Sequence, residues 1–129
     1  REGDSQLSAP EETLLQIAVG GETFLADLAD TAAAQEIASM LPISLVMADQ
    51  NGVVKCYDLP SALPEAAEDF STVPAGQLVL EGTGGLRLFY QESPAGGSYT
   101  PLATLRETEG LAQALAGESV EVTLQLVTG

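Results

Sequence analysis

Histidine and tryptophan are absent from this chain, cysteine occurs once, and only four residues are basic. Without histidine there is no Ser-His-Asp or Cys-His catalysis and no histidine-ligated zinc or iron. Without tryptophan a sugar-stacking platform is poorly furnished. The single thiol, Cys56, forms no internal disulfide, so cysteine usage leaves the compartment open. Arg1, Lys55, Arg87 and Arg106 face nineteen acidic groups, and the net charge of −15 repels phosphate backbones and anionic lipid. Nucleic acid is therefore not an expected partner. The acidity reads first as solubility, with a cationic ligand or bound calcium as the sharper alternatives. No apolar run approaches the ~20 residues that span a bilayer, so no membrane insertion of this domain is expected.

What the chain does have is a hydrophobic fraction of 45% over 129 residues, enough for one folded domain. A domain of that size buries roughly two thirds of its unfolded surface. The organising stretch is 41–60, LPISLVMADQNGVVKCYDLP. Asn51-Gly52 readily takes positive φ at both positions and suits a two-residue type I′ hairpin turn. That turn pairs Gln50 with Val53 and Met47 with Cys56. Leu45, Met47, Val54 and Cys56 then share the core face, while Val46, Ala48, Lys55 and Tyr57 share the other. Pro42 and Pro60 bound the unit, since neither offers the amide hydrogen of a central strand.

Residues 1–12, REGDSQLSAPEE, read as a flexible lead-in to a domain over 13–129. Such a spacer is common between a membrane anchor and a folded domain, and equally in a trimmed fragment. With Arg1 in place of an initial Met, it points to an exported or surface-anchored chain, for instance a lipoprotein; a cytoplasmic location is the alternative. Strands are predicted at 14–19 and 23–28 around Gly20-Gly21, then a helix over 31–40 capped by Asp30 or Thr31. After the central hairpin, Glu65, Glu68 and Asp69 are placed on a short helical turn within 61–74. Strands at 77–81 and 86–91 flank the turn Gly82–Gly85, and 92–104 is read as a long irregular loop. A second helix, 108–116, starts on Thr108 and stops at Gly117. The last strand, 118–128, alternates Val120, Val122, Leu124 and Leu126 with Glu121, Thr123 and Gln125. Seven or so strands joined mostly by hairpins, with two short helices, predict a closed or nearly closed antiparallel β-barrel.

The order of these signals resembles the small bacterial and archaeal cyclophilin-like domain family, over about 14–127. The segments that carry it are GGETFLADLADTAAAQEIASMLP, LPISLVMADQNGVVKCYDLP, PAGQLVLEGTGGLRLFYQ and SYTPLATL, followed by the final helix and strand. The resemblance implies a compact barrel with two helices and a role largely unassigned. True cyclophilins are prolyl isomerases that place an arginine, phenylalanines, a glutamine and a histidine around a proline pocket. In KCYDLP, Asp58 stands where that arginine would be. In LRLFYQ, Leu88 or Arg87 replaces the glutamine, while Phe89 and Tyr90 keep the aromatics.

The candidate ligand groove is Arg87, Phe89, Tyr90 and Tyr99, running beside 86–91 and bordered by 92–104. Arg87 offers a fork of hydrogen bonds to a carboxylate or peptide carbonyl. The structural alternative is a strand arginine paired with Glu81 or Glu92. Strand alternation puts Arg87 and Phe89 on one face and Tyr90 on the other. Tyr57 is the better surface aromatic than Phe24 or Phe70. Asp49-Gln50-Asn51-Gly52 begins like a calcium loop but lacks the later acids and closing glutamate of an EF-hand. Gly82–Gly85 fits no dinucleotide fingerprint, and Ser98 is not in a nucleophile elbow. Lys55 is assigned to the polar face, and a base role there would need burial. Catalytic residues are unknown, and no cofactor or metal is expected. The expectation is a binding or interaction module for a peptide or small molecule. A residual peptidyl-prolyl isomerase and a structural domain of an envelope protein are the rivals.

Overall fold

Alternating apolar residues supply one buried face per strand, and short Gly-containing turns return each strand on its neighbour. In the computed structural model, residues 13–94 and 97–128 are described; the lead-in at 1–12 lies outside them. The strands are β1 (Thr13–Val19), β2 (Glu22–Leu28), β3 (Ile43–Gln50), β4 (Val54–Asp58), β5 (Glu68–Asp69), β6 (Thr72–Val73), β7 (Gln77–Glu81), β8 (Gly85–Phe89), β9 (Ser93–Pro94), β10 (Ser98–Leu105) and β11 (Ser119–Thr128). The helices are α1 (Ala32–Ser39) and α2 (Leu111–Ala114). Eight strands run in the order β2-β1-β11-β3-β4-β8-β7-β10, and β10 pairs back onto β2 to close an antiparallel barrel. No helix among the described residues is long and apolar enough to cross a membrane.

The barrel interior holds Leu15, Ile17, Met47, Leu80, Leu86, Leu88 and Val122, all essentially without exposure. The helix α1 closes one region of the core with Ala33, Ala34 and Ile37. Thr31 is its cap, accepting from the Ala34 N–H at 3.1 Å while its hydroxyl donates to the Pro101 carbonyl at 2.9 Å. One side chain thus starts the helix and ties it to β10.

Four expectations are corrected. The stretch 92–104 is not an irregular loop, because Ser98–Leu105 is the eighth barrel strand. Pro101 and the Gly-Gly before it hide the strand from a reading by composition. A bulge between Pro101 and Ala103 lets the proline sit in a paired strand. The acidic turn at Glu65–Asp69 is not helical: no helix falls there, and Glu68–Asp69 is extended and pairs with Tyr99 and Ser98. Thr108 does not cap the second helix, since Gly110, with φ of 81°, turns the chain just before a single turn at Leu111–Ala114.

The central hairpin carries the fourth correction. Asn51 and Gly52 do take positive φ, 60° and 69°, and the Val53 N–H closes the turn on the Gln50 carbonyl at 3.2 Å. Yet Val53 is left over, and the ladder pairs Gln50 with Val54, Asp49 with Lys55 and Ala48 with Cys56. One extra residue exchanges the faces of β4. Cys56 moves to the outer wall with Ala48. Lys55 and Tyr57 turn to the side of Met47, and Tyr57 is half-buried, packed in part against the barrel core.

Lys55 is consequently fully buried. Its ammonium donates to Asp49 Oδ1 at 3.1 Å and to the Gly117 carbonyl, and it lies 5.5 Å from the centre of the Tyr90 ring. Tyr90 also donates its hydroxyl to Asp49 Oδ1, and the Gly52 N–H donates to Asp49 Oδ2 at 2.9 Å. Those donors, Tyr90 first and Lys55 next, hold the Asp49 carboxyl below its ordinary value. Burial, and then the Asp49 carboxylate, push the Tyr90 phenol up to about 12.

Two predictions follow from this network. Lys55→Ala is expected to destabilise the fold by about 3 kcal/mol, because it removes one partner of a buried pair and leaves a void. Lys55→Met, which fills the same volume, is expected to cost markedly less; equal losses in urea unfolding would show that the charge alone matters. The phenol ionises near 10 in the unfolded chain and near 12 in the folded one. Its contribution to stability is therefore complete below pH 10 and is lost as pH rises towards 12. The denaturation midpoint should fall between pH 10 and about 12 more steeply in the native chain than in Tyr90→Phe; parallel falls would remove Tyr90 from the network.

Candidate functional site

Where β4, β8, β7 and β10 adjoin, the outer wall of the barrel is itself partly covered. Val54, Val73, Val79 and Phe89 form a second buried cluster, with Val53, Cys56, Phe70 and Tyr99 packed around it. The segments carrying β5, β6 and β9 lie over this part of the wall, and β6 pairs with β9. Val79 stands opposite Arg87 across β7 and β8, and Phe89 stands opposite Val54 across β8 and β4. Alternation therefore puts Arg87 and Phe89 together on the outside, and Tyr90 on the inside with the Lys55 network.

Arg87 sits at the margin of the covered patch. Its Nε donates to Glu81 Oε1 at 2.9 Å, its Nη1 donates to the Leu86 carbonyl at 3.2 Å, and Nη1 lies 3.8 Å from Asp58 Oδ1. Glu81 is thus the partner that the structural alternative named. Gly85 makes room for the guanidinium: a Cβ there would meet Arg87 Nη2 at 3.0 Å and the Glu81 carbonyl at 3.1 Å. Phe89 and Tyr99 meet edge to face with ring centres 5.8 Å apart, and Phe70 backs Tyr99 at 6.0 Å. Edge-to-face contacts of this kind fix ring orientation.

Two shallow depressions meet at Arg87 and Gln50. One, of about 300 Å³, is lined by Asn51, Val54, Glu81, Phe89, Ser93 and Tyr99 among others. The second, of about 380 Å³, is lined by Ala48, Asp49, Cys56, Tyr57 and Asp58. Of the four residues singled out from sequence, Arg87, Phe89 and Tyr99 line one depression, and Tyr90 does not reach it. Gln50, Cys56 and Glu81 were missed. The first two follow from the shifted hairpin register, and the Val53-Val54 pair gives no sequence signal that decides it. Glu81 was named only as a partner for Arg87.

The Cys56 thiol donates to Gln50 Oε1 at 3.3 Å. Burial raises its pKa, and the nearby Arg87 offsets that only in part. It is a protonated hydrogen-bond donor at neutral pH rather than a nucleophile. Among the described residues no cluster of three His, Cys, Asp or Glu side chains is placed to hold a metal ion. The chemistry on offer is a guanidinium with N–H groups to spare, two carboxylates beside it, and an aromatic wall.

A model of the cyclophilin-like family matches residues 17–125. Comparison with curated proteins and with solved structures found no match.

The state of Cys56 gives a direct check on the geometry. Its reaction with a disulfide reagent at pH 8 is expected to be at least about tenfold slower than that of a free thiol, because the thiolate fraction and access are both reduced. Arg87→Ala should slow it further by removing the offsetting positive charge. A rate equal to that of the unfolded chain would place the thiol in solvent.

Proposed function

This chain belongs to the cyclophilin-like family, and we propose that it is a binding module whose outer-wall groove takes an extended peptide. The observation that carries the reading is the placement of Arg87 beside the Phe89–Tyr99 pair, at the junction of two open depressions. An arginine there donates to a ligand carbonyl while the rings accept an apolar side chain, which is the division of labour of small-molecule and peptide sites. The absence of histidine from the chain and the protonated state of Cys56 favour binding over proton-transfer chemistry.

One observation favours a second reading. Asp58 occupies the position that the resemblance gives to the isomerase arginine, yet the Arg87 guanidinium reaches from β8 to within 3.8 Å of the Asp58 carboxylate. An arginine is thus present in space near the position where the resemblance finds Asp58 instead. Prolyl isomerisation needs no proton transfer, only desolvation and a hydrogen bond to the twisted amide. Against it, Glu81 and Asp58 neutralise the guanidinium. Export on a surface tether belongs to the same proposal, supported by the Gly-, Ser- and Pro-containing composition of 1–12.

The test pairs binding with turnover. Titration of a proline-containing peptide, followed by amide shifts, should perturb Arg87, Phe89 and Tyr99 with no acceleration of isomerisation. Arg87→Ala should weaken binding about tenfold, the worth of a charged hydrogen bond. Turnover abolished by Arg87→Ala would establish the isomerase instead. Shifts elsewhere, or none with any peptide, would favour a structural role.

A further inference from the structure

The ladder between β3 and β4 is only three pairs long, Gln50 with Val54, Asp49 with Lys55 and Ala48 with Cys56. Both strands continue beyond it, β3 back to Ile43 and β4 on to Asp58. They continue with different neighbours. β3 stays paired to β11 through Ile43, and β4 stays paired to β8 through Asp58. The Leu59 N–H then follows β8, donating to the Gly84 carbonyl at 2.8 Å. The barrel wall therefore splits along a seam below the hairpin.

Strand geometry says what faces the seam. Backbone groups of successive residues point to opposite sides of a strand. The Asp49 N–H donates to the Glu118 carbonyl at 2.7 Å, towards β11, so Ala48 and Gln50 direct theirs towards β4. By the same alternation Ser44 and Val46 direct their N–H and C=O groups into the seam. On the opposite bank Asp58 has the parity of Cys56 and faces β3. The ladder gives these residues no partner across the seam, and no turn or loop bond among the described residues ends on them. Val46 is 62% exposed, the most exposed large apolar residue among the described residues, and Ser44 beside it is exposed as well.

We propose that the seam is a second peptide-binding edge, at which an extended basic segment of a partner adds to β3 through the backbone of Ser44 and Val46. Strand addition to an open edge uses main-chain hydrogen bonds for affinity and alternate side chains for selectivity. Charge decides the partner. Asp58 is 91% exposed on one bank, and exposed Glu121 stands opposite Val46 on β11. Another copy of a chain of net charge −15 is repelled here, whereas lysine or arginine side chains of an extended segment meet carboxylates on both banks. The edge shares Asp58 with the Arg87 site, 3.8 Å from that guanidinium, but its main-chain contacts are made by β3.

Amide hydrogen exchange tests the seam directly. In the free protein the Ser44 and Val46 amides should exchange at least about 100-fold faster than those of Leu45 and Met47, which face β11. A capped decapeptide alternating Lys with Val should then slow exchange at Val46. The same peptide with Glu for Lys, or with its backbone N-methylated on alternate residues, should not. Val46→Pro removes only an N–H that faces the seam, so it should keep the fold and abolish the effect. Because the proline variant can fail to fold, the N-methylated peptide on the native chain is the second arm. Protection of Val46 in the free protein would show the seam closed and overturn the proposal. So would protection that grows with protein concentration, which is self-pairing, and so would equal binding of the glutamate peptide or binding of neither.

Discussion

An ammonium group with no exposure to solvent constrains this barrel more than any apolar contact does. Lys55 cannot leave water without acceptors, and it finds them in Asp49 on the neighbouring strand and in the Gly117 carbonyl beyond α2. Those two acceptors belong to parts of the chain 62 residues apart in one case and 6 in the other. Satisfying the charge therefore fixes where the α2–β11 connection lies against the hairpin. It also selects the hairpin register, because a slip of one residue would carry Lys55 to the outer wall and leave Asp49 facing Tyr90 alone. Buried ionic groups of this kind add little net stability compared with apolar ones, and their best-attested role is in fixing register.

The fold was legible in the sequence wherever one face of a strand is wet. β11 alternates cleanly, with Val122 and Leu124 buried, and its neighbour β1 was found nearly to the residue. The helix α1 was legible through Thr31 and the spacing of Ala34 and Ile37. What stayed hidden was decided by long-range contacts. β10 contains Pro101 and follows two glycines, so its local signals read as loop; it is a strand because β7 and β2 close on it from both sides. The register of β4 is hidden because Val53 and Val54 are equally good at the first paired position. The acceptors that Lys55 finds in Asp49 and in the distant carbonyl of Gly117 favour the observed one.

The candidate site shows the same division. Arg87 and Phe89 were placed on one face by alternation, and Tyr90 was excluded by the same rule once its burial was known. The neighbours that set the electrostatics could not be read locally: Asp58 comes from β4, and Cys56 faces outward only because of the extra residue in the turn. The result is a positive group between two carboxylates, lining one depression with aromatic rings. Such a site has little net attraction for anions, in keeping with the acidity of the whole chain.

The cover over the outer wall has a further consequence. Val73 and Phe70 pack on the barrel in one small apolar cluster, the two-residue strands β6 and β9 pair with each other, and β5 pairs with β10. The barrel beneath is closed without them, since its eight strands pair in a ring. The cover therefore adds a second, smaller apolar layer outside a ring that is already complete, and this layer, rather than the barrel, sets how much of Val79 and Phe89 meets solvent.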